Sequence, residues 1–147
     1  MIRPMELKDL KRVAEIERVS YRIPWGMGSF LYELYRRNSL NYVYEDNEDV
    51  FGFYCCYLAA DEIHLLDIAV DPSTRRSGIG GKLIEHLIHL AKSKSAGYIF
   101  LEVRNSNTSA QRLYEKYGFE SVGIRKGYYQ DNKEDAVLMT LYLCDKK

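Results

Sequence analysis

The chain has 147 residues, 21 of them basic and 21 acidic, so its formal net charge is zero. A chain of this length supplies one packed core rather than two. The missing basic surplus argues against a dedicated nucleic-acid binder. No apolar run approaches the roughly 18 residues of a membrane span, and the opening "MIRPMELKDL" has no apolar leader core.

Ile2–Pro4 reads as a short strand, and residues 6–20 as a helix with Leu7, Leu10, Val13 and Ala14 on one face. After the break at "RIPWG" a second short helix carries Phe30, Leu31, Leu34 and Tyr35. Residues 41–46 and 50–60, joined by the acidic turn "EDNED", read as a hairpin. The nearly continuous apolar run "EIHLLDIAV", 62–70, predicts a central strand. A glycine-rich turn follows, then a helix to about residue 95 with Leu83, Ile84, Leu87, Ile88 and Ala91 in one stripe. "YIFLEV" is another strand, and "NSNTSAQRLYEKYG" a helix capped by Asn or Ser and closed by Gly118. Strands near 119–130 and 135–143 end the chain. The expected fold is α/β with a mixed sheet, in the order β-α-α-β-β-β-α-β-α-β-β, containing one right-handed parallel crossover.

Cys55, Cys56 and Cys144 are odd in number and lack Cys-x-x-Cys spacing, which suits a reducing cytoplasm better than a disulfide framework or a zinc site. His86 and His89 lie three apart on the long helix, but no third metal ligand accompanies them. A solvated or flanking role is favoured.

The turn "RRSGIGGKLI" invites an anion. It fails the Walker pattern, because position 76 is Arg and Leu83 follows Lys82. It fails the dinucleotide pattern too, with Leu83 where a third glycine belongs. What remains is Arg-x-x-Gly-x-Gly between a strand and a helix. Amides of Arg76, Ser77, Gly78, Ile79, Gly80 and Gly81 can ring a pyrophosphate at the positive end of the helix dipole. A ligand-free, glycine-eased turn fits the bare pattern equally. Arg75, Arg76 and Lys82 either neutralise such an anion or form a solvated face.

"IAVDPSTRRSGIGGKLI", "FLEVRNSNTSAQRLYEKYGF" and "KGYYQDNKEDAVLMTL", in that order and spacing, resemble the GNAT acyltransferases. Within them the chain is similar to the RimI-type protein N-terminal acetyltransferases. The resemblance spans residues 1–147 as one acetyltransferase domain. It implies acetyl-coenzyme A as cosubstrate, no metal, and a sheet whose fourth and fifth strands splay apart. It also implies that backbone groups of Ile68, Ala69 and Val70 hold the thioester arm, that residues 76–81 hold the pyrophosphate, and that Asn107 contacts the cofactor. Glu102 would be the general base and Tyr114 the general acid.

The residues can be weighed beside that resemblance. Glu102 is a carboxylate in an apolar strand, costly to bury unless paired or used; Arg104, two residues on, offers the pairing, and Asp67 is the reserve base. Asn107 and Tyr114 are nearly two helical turns apart and so share a face, although a helical tyrosine also suits a core. Trp25 in "IPWG" and Tyr128 and Tyr129 in "KGYYQD" are candidate walls of an acceptor groove, or partial core plugs. His64 is expected in a strand near that groove.

Gly26 stands where bacterial members commonly carry Ser or Thr, and Gly127 where Asn is often met. The expected function is acetylation of a protein N-terminal α-amino group, with ribosomal protein S18 the leading acceptor in a bacterial source. Acetylation of a lysine or a small amine, and a non-catalytic coenzyme A binding subunit, are the alternatives. No nucleic-acid or membrane partner is expected.

Overall fold

The structure is a computed structural model, described here for residues 1–143; Cys144 lies outside the described residues. The elements follow the expected order. They are β1 (Ile2–Pro4), α1 (Leu10–Ser20), α2 (Met27–Tyr35), β2 (Ser39–Asp46), β3 (Asp49–Ala59) and β4 (Glu62–Val70). Then come α3 (Ile79–Ser93), β5 (Tyr98–Arg104), α4 (Thr108–Lys116), β6 (Glu120–Arg125) and β7 (Ala136–Tyr142). The strands form one sheet in the order β1-β2-β3-β4-β5-β7-β6. Among the described residues only the β4–β5 pair is parallel, because α3 carries the chain across between them.

Both faces of the sheet centre are covered, which explains the unbroken apolar character of β3. Phe53 and Cys55 point to a core shared with Leu10, Val13 and Ile16 of α1 and Phe30 of α2. Tyr54 and Cys56 point to the opposite core, with Leu83, Ile84 and Leu87 of α3 and Tyr114 of α4.

Two helical stripes differ from expectation. Leu7 sits in a 3-10 turn, Leu7–Asp9, closed by a reciprocal Glu6–Asp9 capping box. The tighter pitch rotates Leu7 off the α1 stripe and leaves it exposed. Ile16 and, more surprisingly, Glu17 take the buried positions. On α2 the inward residues are Phe30 and Glu33, while Leu31 and Tyr35 face outward. Glu33 tolerates burial because Ser39 Oγ donates to it at 3.1 Å and Arg36 Nη1 at 3.3 Å.

Gly26 is the N-cap of α2 and supplies no side-chain cap, in open space. Gly26→Ser therefore adds an acceptor for an orphan helix amide, and urea denaturation should register a gain of a few tenths of a kcal/mol, roughly.

The feature that positions the site is the parting of β4 from β5. Their pairing covers only Glu62–His64 against Tyr98–Phe100. Beyond it β4 stays paired with β3 as far as Val70, and β5 with β7 as far as Arg104. A bulge marks the start of the divergence: Cys56 opposes Leu65 and Cys55 opposes Asp67, so Leu66 is the extra residue. Such an insertion bends and twists its strand. The expected splay is present.

Candidate active site

At the open end of β4 lies the glycine turn. Gly78 is the N-cap of α3 in the left-handed region at φ 85°, and a Cβ there would meet nothing within 4 Å. Arg76 is left-handed too, at φ 72°. The first hydrogen bond of α3 runs from Lys82 N–H to Gly78 O at 3.0 Å. The amides of Gly78, Ile79, Gly80 and Gly81 thus donate to no protein group among the described residues. Four free donors at the positive end of a helix form an anion cradle.

The neighbouring cations divide. Arg76 makes no ion pair or hydrogen bond among the described residues. Arg75 instead turns back to Ser20 Oγ at 3.0 Å and Val70 O at 3.2 Å. Lys82 Nζ lies 5.6 Å from the centre of the Tyr44 ring. Ser77 Oγ is committed to Thr74 O.

Of the strand residues expected to meet the thioester arm, Ile68 accepts at its carbonyl from Tyr21 Oη, and Val70 from Arg75. Ala69 is buried against the α1–α2 core. The last turn of α1 is thereby tied to this stretch of β4.

Glu102 lies on β5, which alternates: Ile99, Leu101 and Val103 enter the α3–α4 core, so Glu102 turns to the other face with Phe100 and Arg104. His64 of β4 meets Phe100 on that face, ring centres 5.4 Å apart, and stacks on Tyr57 at 4.8 Å. Glu102 Oε2 is buried and receives no hydrogen bond among the described residues. Arg125 Nη1 of β6 is its nearest cation at 3.6 Å, near enough for an ion pair and too far for a hydrogen bond. An oxygen so placed is available to take a proton.

The alternative Arg104–Glu102 pairing does not form. Arg104 is claimed by the hairpin between β6 and β7: Asp131 accepts from Nη2 at 3.1 and 3.0 Å, Glu134 accepts from Nη1 at 3.3 Å, and the guanidinium lies 4.0 Å over the Tyr129 ring. Two carboxylates and an aromatic face outbid one carboxylate on the same strand. Sequence reasoning missed Arg125, which had no motif to reveal it.

Tyr114 is buried in the α3–α4 core with its ring 5.7 Å from Phe119. Burial pushes its hydroxyl well up, and Asp67 and Tyr129 add to the rise. Asn107 differs from expectation. It is the N-cap of α4 and its Oδ1 accepts from Ala110 N–H at 3.2 Å, so it folds onto its own helix end instead of sharing a helical face with Tyr114. Its Nδ2 donates to nothing among the described residues.

The candidate groove walls are also placed. Trp25 packs on Phe30 at 5.3 Å, and its backbone N–H donates to Glu17 Oε2 at 3.0 Å. With Gly28, Ser29, Tyr32 and Glu33 it lines a depression of about 310 Å³. Tyr128 and Tyr129 meet edge to face at 5.1 Å. Burial pushes the Tyr129 hydroxyl up to about 12 against the pull of Arg104, and the charge of Glu102 adds to the rise. Arg22 Nε reaches Asp131 Oδ2 at 3.6 Å, so the Trp25 loop and the Tyr128–Tyr129 hairpin are bridged. A larger depression, about 470 Å³, flanks the glycine turn between Tyr44, Phe51, Arg76, Ser77 and Ile79. None of Glu102, Tyr114 or Tyr129 lines it.

His86 stands apart from all this: its Nδ1 shares a 2.7 Å hydrogen bond with Tyr54 Oη, and burial lowers its basicity.

Known proteins resemble this chain in sequence and fold. The profile of the Acetyltransferase (GNAT) family matches residues 10–119. The ribosomal protein bS18-alanine N-acetyltransferase of Haemophilus ducreyi is 36% identical over 146 residues, covering 97% of this chain and 100% of that protein. The crystal structure of the ribosomal-protein-S18-alanine N-acetyltransferase from Escherichia coli superposes with a TM-score of 0.92 at 34% identity, covering 100% of this chain and 96% of that one. Ard1 from Thermoplasma volcanium has a TM-score of 0.89 at 28% identity, covering 99% and 98%. The chain belongs to the GNAT acetyltransferase family.

Proposed function

We propose that the chain transfers an acetyl group from acetyl-coenzyme A to the α-amino group of a protein N-terminus, with an S18-type ribosomal protein as acceptor. One observation carries the donor half of this reading: four uncommitted amides, Gly78–Gly81, at the mouth of a parallel strand pair that splays. The space beside Gly78 and the unpaired Arg76 cation fit a diphosphate. Relatives named for acetylating the alanine of ribosomal protein bS18 support the acceptor half. The cytoplasm is the proposed compartment, in keeping with the free thiols of Cys55 and Cys56.

Bound acetyl-coenzyme A would supply an activated acetyl thioester. The chain's own residues do the rest. The amides of Gly78–Gly81 hold the diphosphate, and the backbone of Ile68–Val70, with Asn107 Nδ2, orients the arm. Glu102 Oε2 takes a proton from the acceptor amine, directly or through water, and Tyr114 Oη gives one to the departing sulfur. Trp25, Tyr128 and Tyr129 wall the acceptor.

An α-amino group suits this base. Its pKa is about 8 against about 10.4 for lysine, so removing its proton is easier by about 3 kcal/mol. A thiol-release assay comparing an S18-type N-terminal peptide, the same peptide with a blocked N-terminus and an internal lysine, and free polyamines tests the reading. Turnover of the unblocked peptide alone is expected. Turnover confined to the lysine peptide or the polyamine contradicts it, and binding of acetyl-coenzyme A without turnover of any amine makes the chain a coenzyme-binding subunit.

A further inference from the structure

Glu17 and Asp67 are both buried, on α1 and β4, where the α1–α2 core meets the bulge. Neither forms an ion pair among the described residues. Glu17 Oε2 accepts from the Trp25 backbone N–H, but Glu17 Oε1 and Asp67 Oδ2 receive no hydrogen bond from any donor group among the described residues. Asp67 lies opposite Cys55, which faces the α1–α2 core, so the two carboxyls share one seam; burial pushes the Asp67 carboxyl well up, and Glu17 raises it further. Two ionised carboxylates in contact without water would repel and lose solvation together. A single proton between them satisfies both orphan oxygens at once.

That proton sits in a seam with functional neighbours. From α1, Tyr21 Oη crosses to Ile68 O, one residue beyond Asp67. Cys55 of β3 and Tyr114 of α4 both feel the Asp67 charge, and Glu33 of α2 acts on Cys55. Arg75 is turned to Ser20 and Val70 instead of to either carboxyl. The Ile68 N–H is the group that favours the ionised form of Asp67, and the weaker one. Through Glu17, the seam ends on the backbone of Trp25.

We propose that Glu17 and Asp67 share one proton as a latch that holds the Trp25 loop against β4, making them positioning residues for the acceptor. This rests on reading the Trp25 loop as an acceptor wall. Asp67 keeps in the folded chain a proton that the unfolded chain gives up near pH 4, roughly the ordinary carboxylate value. The latch is therefore closed at low pH and is lost as pH rises through the raised value of Asp67. Above that point the acceptor KM should climb about tenfold per pH unit while the KM for acetyl-coenzyme A stays level. The acceptor's own gain in neutral amine, which ends near its pKa of about 8, is common to wild type and variants and cancels in the ratio of their KM values.

Trp25 is the sole tryptophan of the chain, so its fluorescence reports the loop without any catalysis. Acrylamide quenching of Trp25 and both KM values are measured against pH in the wild type, in Asp67→Asn and in Glu17→Gln. In each variant an amide N–H donates across the pair at every pH, so the alkaline rise in quenching and in acceptor KM should disappear. Should Asp67→Asn fail to fold, Glu17→Gln makes the same comparison from the other side. Variants that keep the wild-type transitions overturn the latch. Where no peptide is turned over, the acceptor reading falls while the quenching profile still decides the latch.

Discussion

Glu102→Gln is expected to lower kcat by about 10²- to 10⁴-fold, the usual contribution of a general base, with the affinity for acetyl-coenzyme A nearly unchanged. Glutamine preserves the shape of the side chain on β5 and removes the capacity to accept a proton. The fold should not suffer, since Glu102 lies on the less covered face of β5 and its single charged partner, Arg125, is half exposed and 3.6 Å away. Steady-state thiol release gives kcat, and calorimetry gives the affinity for acetyl-coenzyme A. Undiminished turnover would assign the proton to another group. Asp67, whose carboxyl burial and Glu17 push well up, would be the next group to test.

Gly78→Asp should weaken acetyl-coenzyme A binding by about 100-fold or more, equivalent to losing one or two charge-assisted hydrogen bonds. The new carboxylate enters open space beside the amides of Ile79, Gly80 and Gly81 and competes for the place of the diphosphate. Stability should change little. Aspartate tolerates the left-handed backbone at φ 85° better than most residues, and a negative charge at the start of α3 interacts favourably with its dipole. Binding lost with the melting temperature nearly kept is the expected pair of results, measured by calorimetry of binding and of unfolding. Unimpaired binding would place the diphosphate elsewhere.

The two predictions differ in how visible their residues were in the sequence. The glycine turn was legible because its chemistry is local: consecutive glycines after an apolar strand leave backbone amides at a helix start. The β4–α3–β5 crossover was legible for the same reason, as strand and helix periods alternate within about 40 residues of chain, the span of a crossover unit. The environment of Glu102 was not. Its neighbour in sequence, Arg104, was the obvious partner, yet the hairpin residues Asp131 and Glu134 take that cation and leave Glu102 to Arg125.

Pairings of that kind depend on side chains brought together by sheet order, and a linear pattern does not encode them. Glu17 is the clearer case. It sits on the apolar stripe of α1, where a charge signals either an error of phase or a buried partner, and the partner lies fifty residues on, in β4. For Asn107 only the shared helical face with Tyr114 was misread, since its Oδ1 caps α4 at the helix start. Leu7 misled because a 3-10 turn and an α-helix look alike over three residues.

The central claim is that free amides at the start of α3 grip the donor's diphosphate beside the splayed strands. Titrating the isotope-labelled protein with acetyl-coenzyme A, while following each backbone amide by NMR, tests it most directly. The largest shifts should fall on Gly78, Ile79, Gly80 and Gly81, with smaller ones along Ile68–Val70. Silent resonances at those positions, with perturbation concentrated on another part of the sheet, would contradict the account.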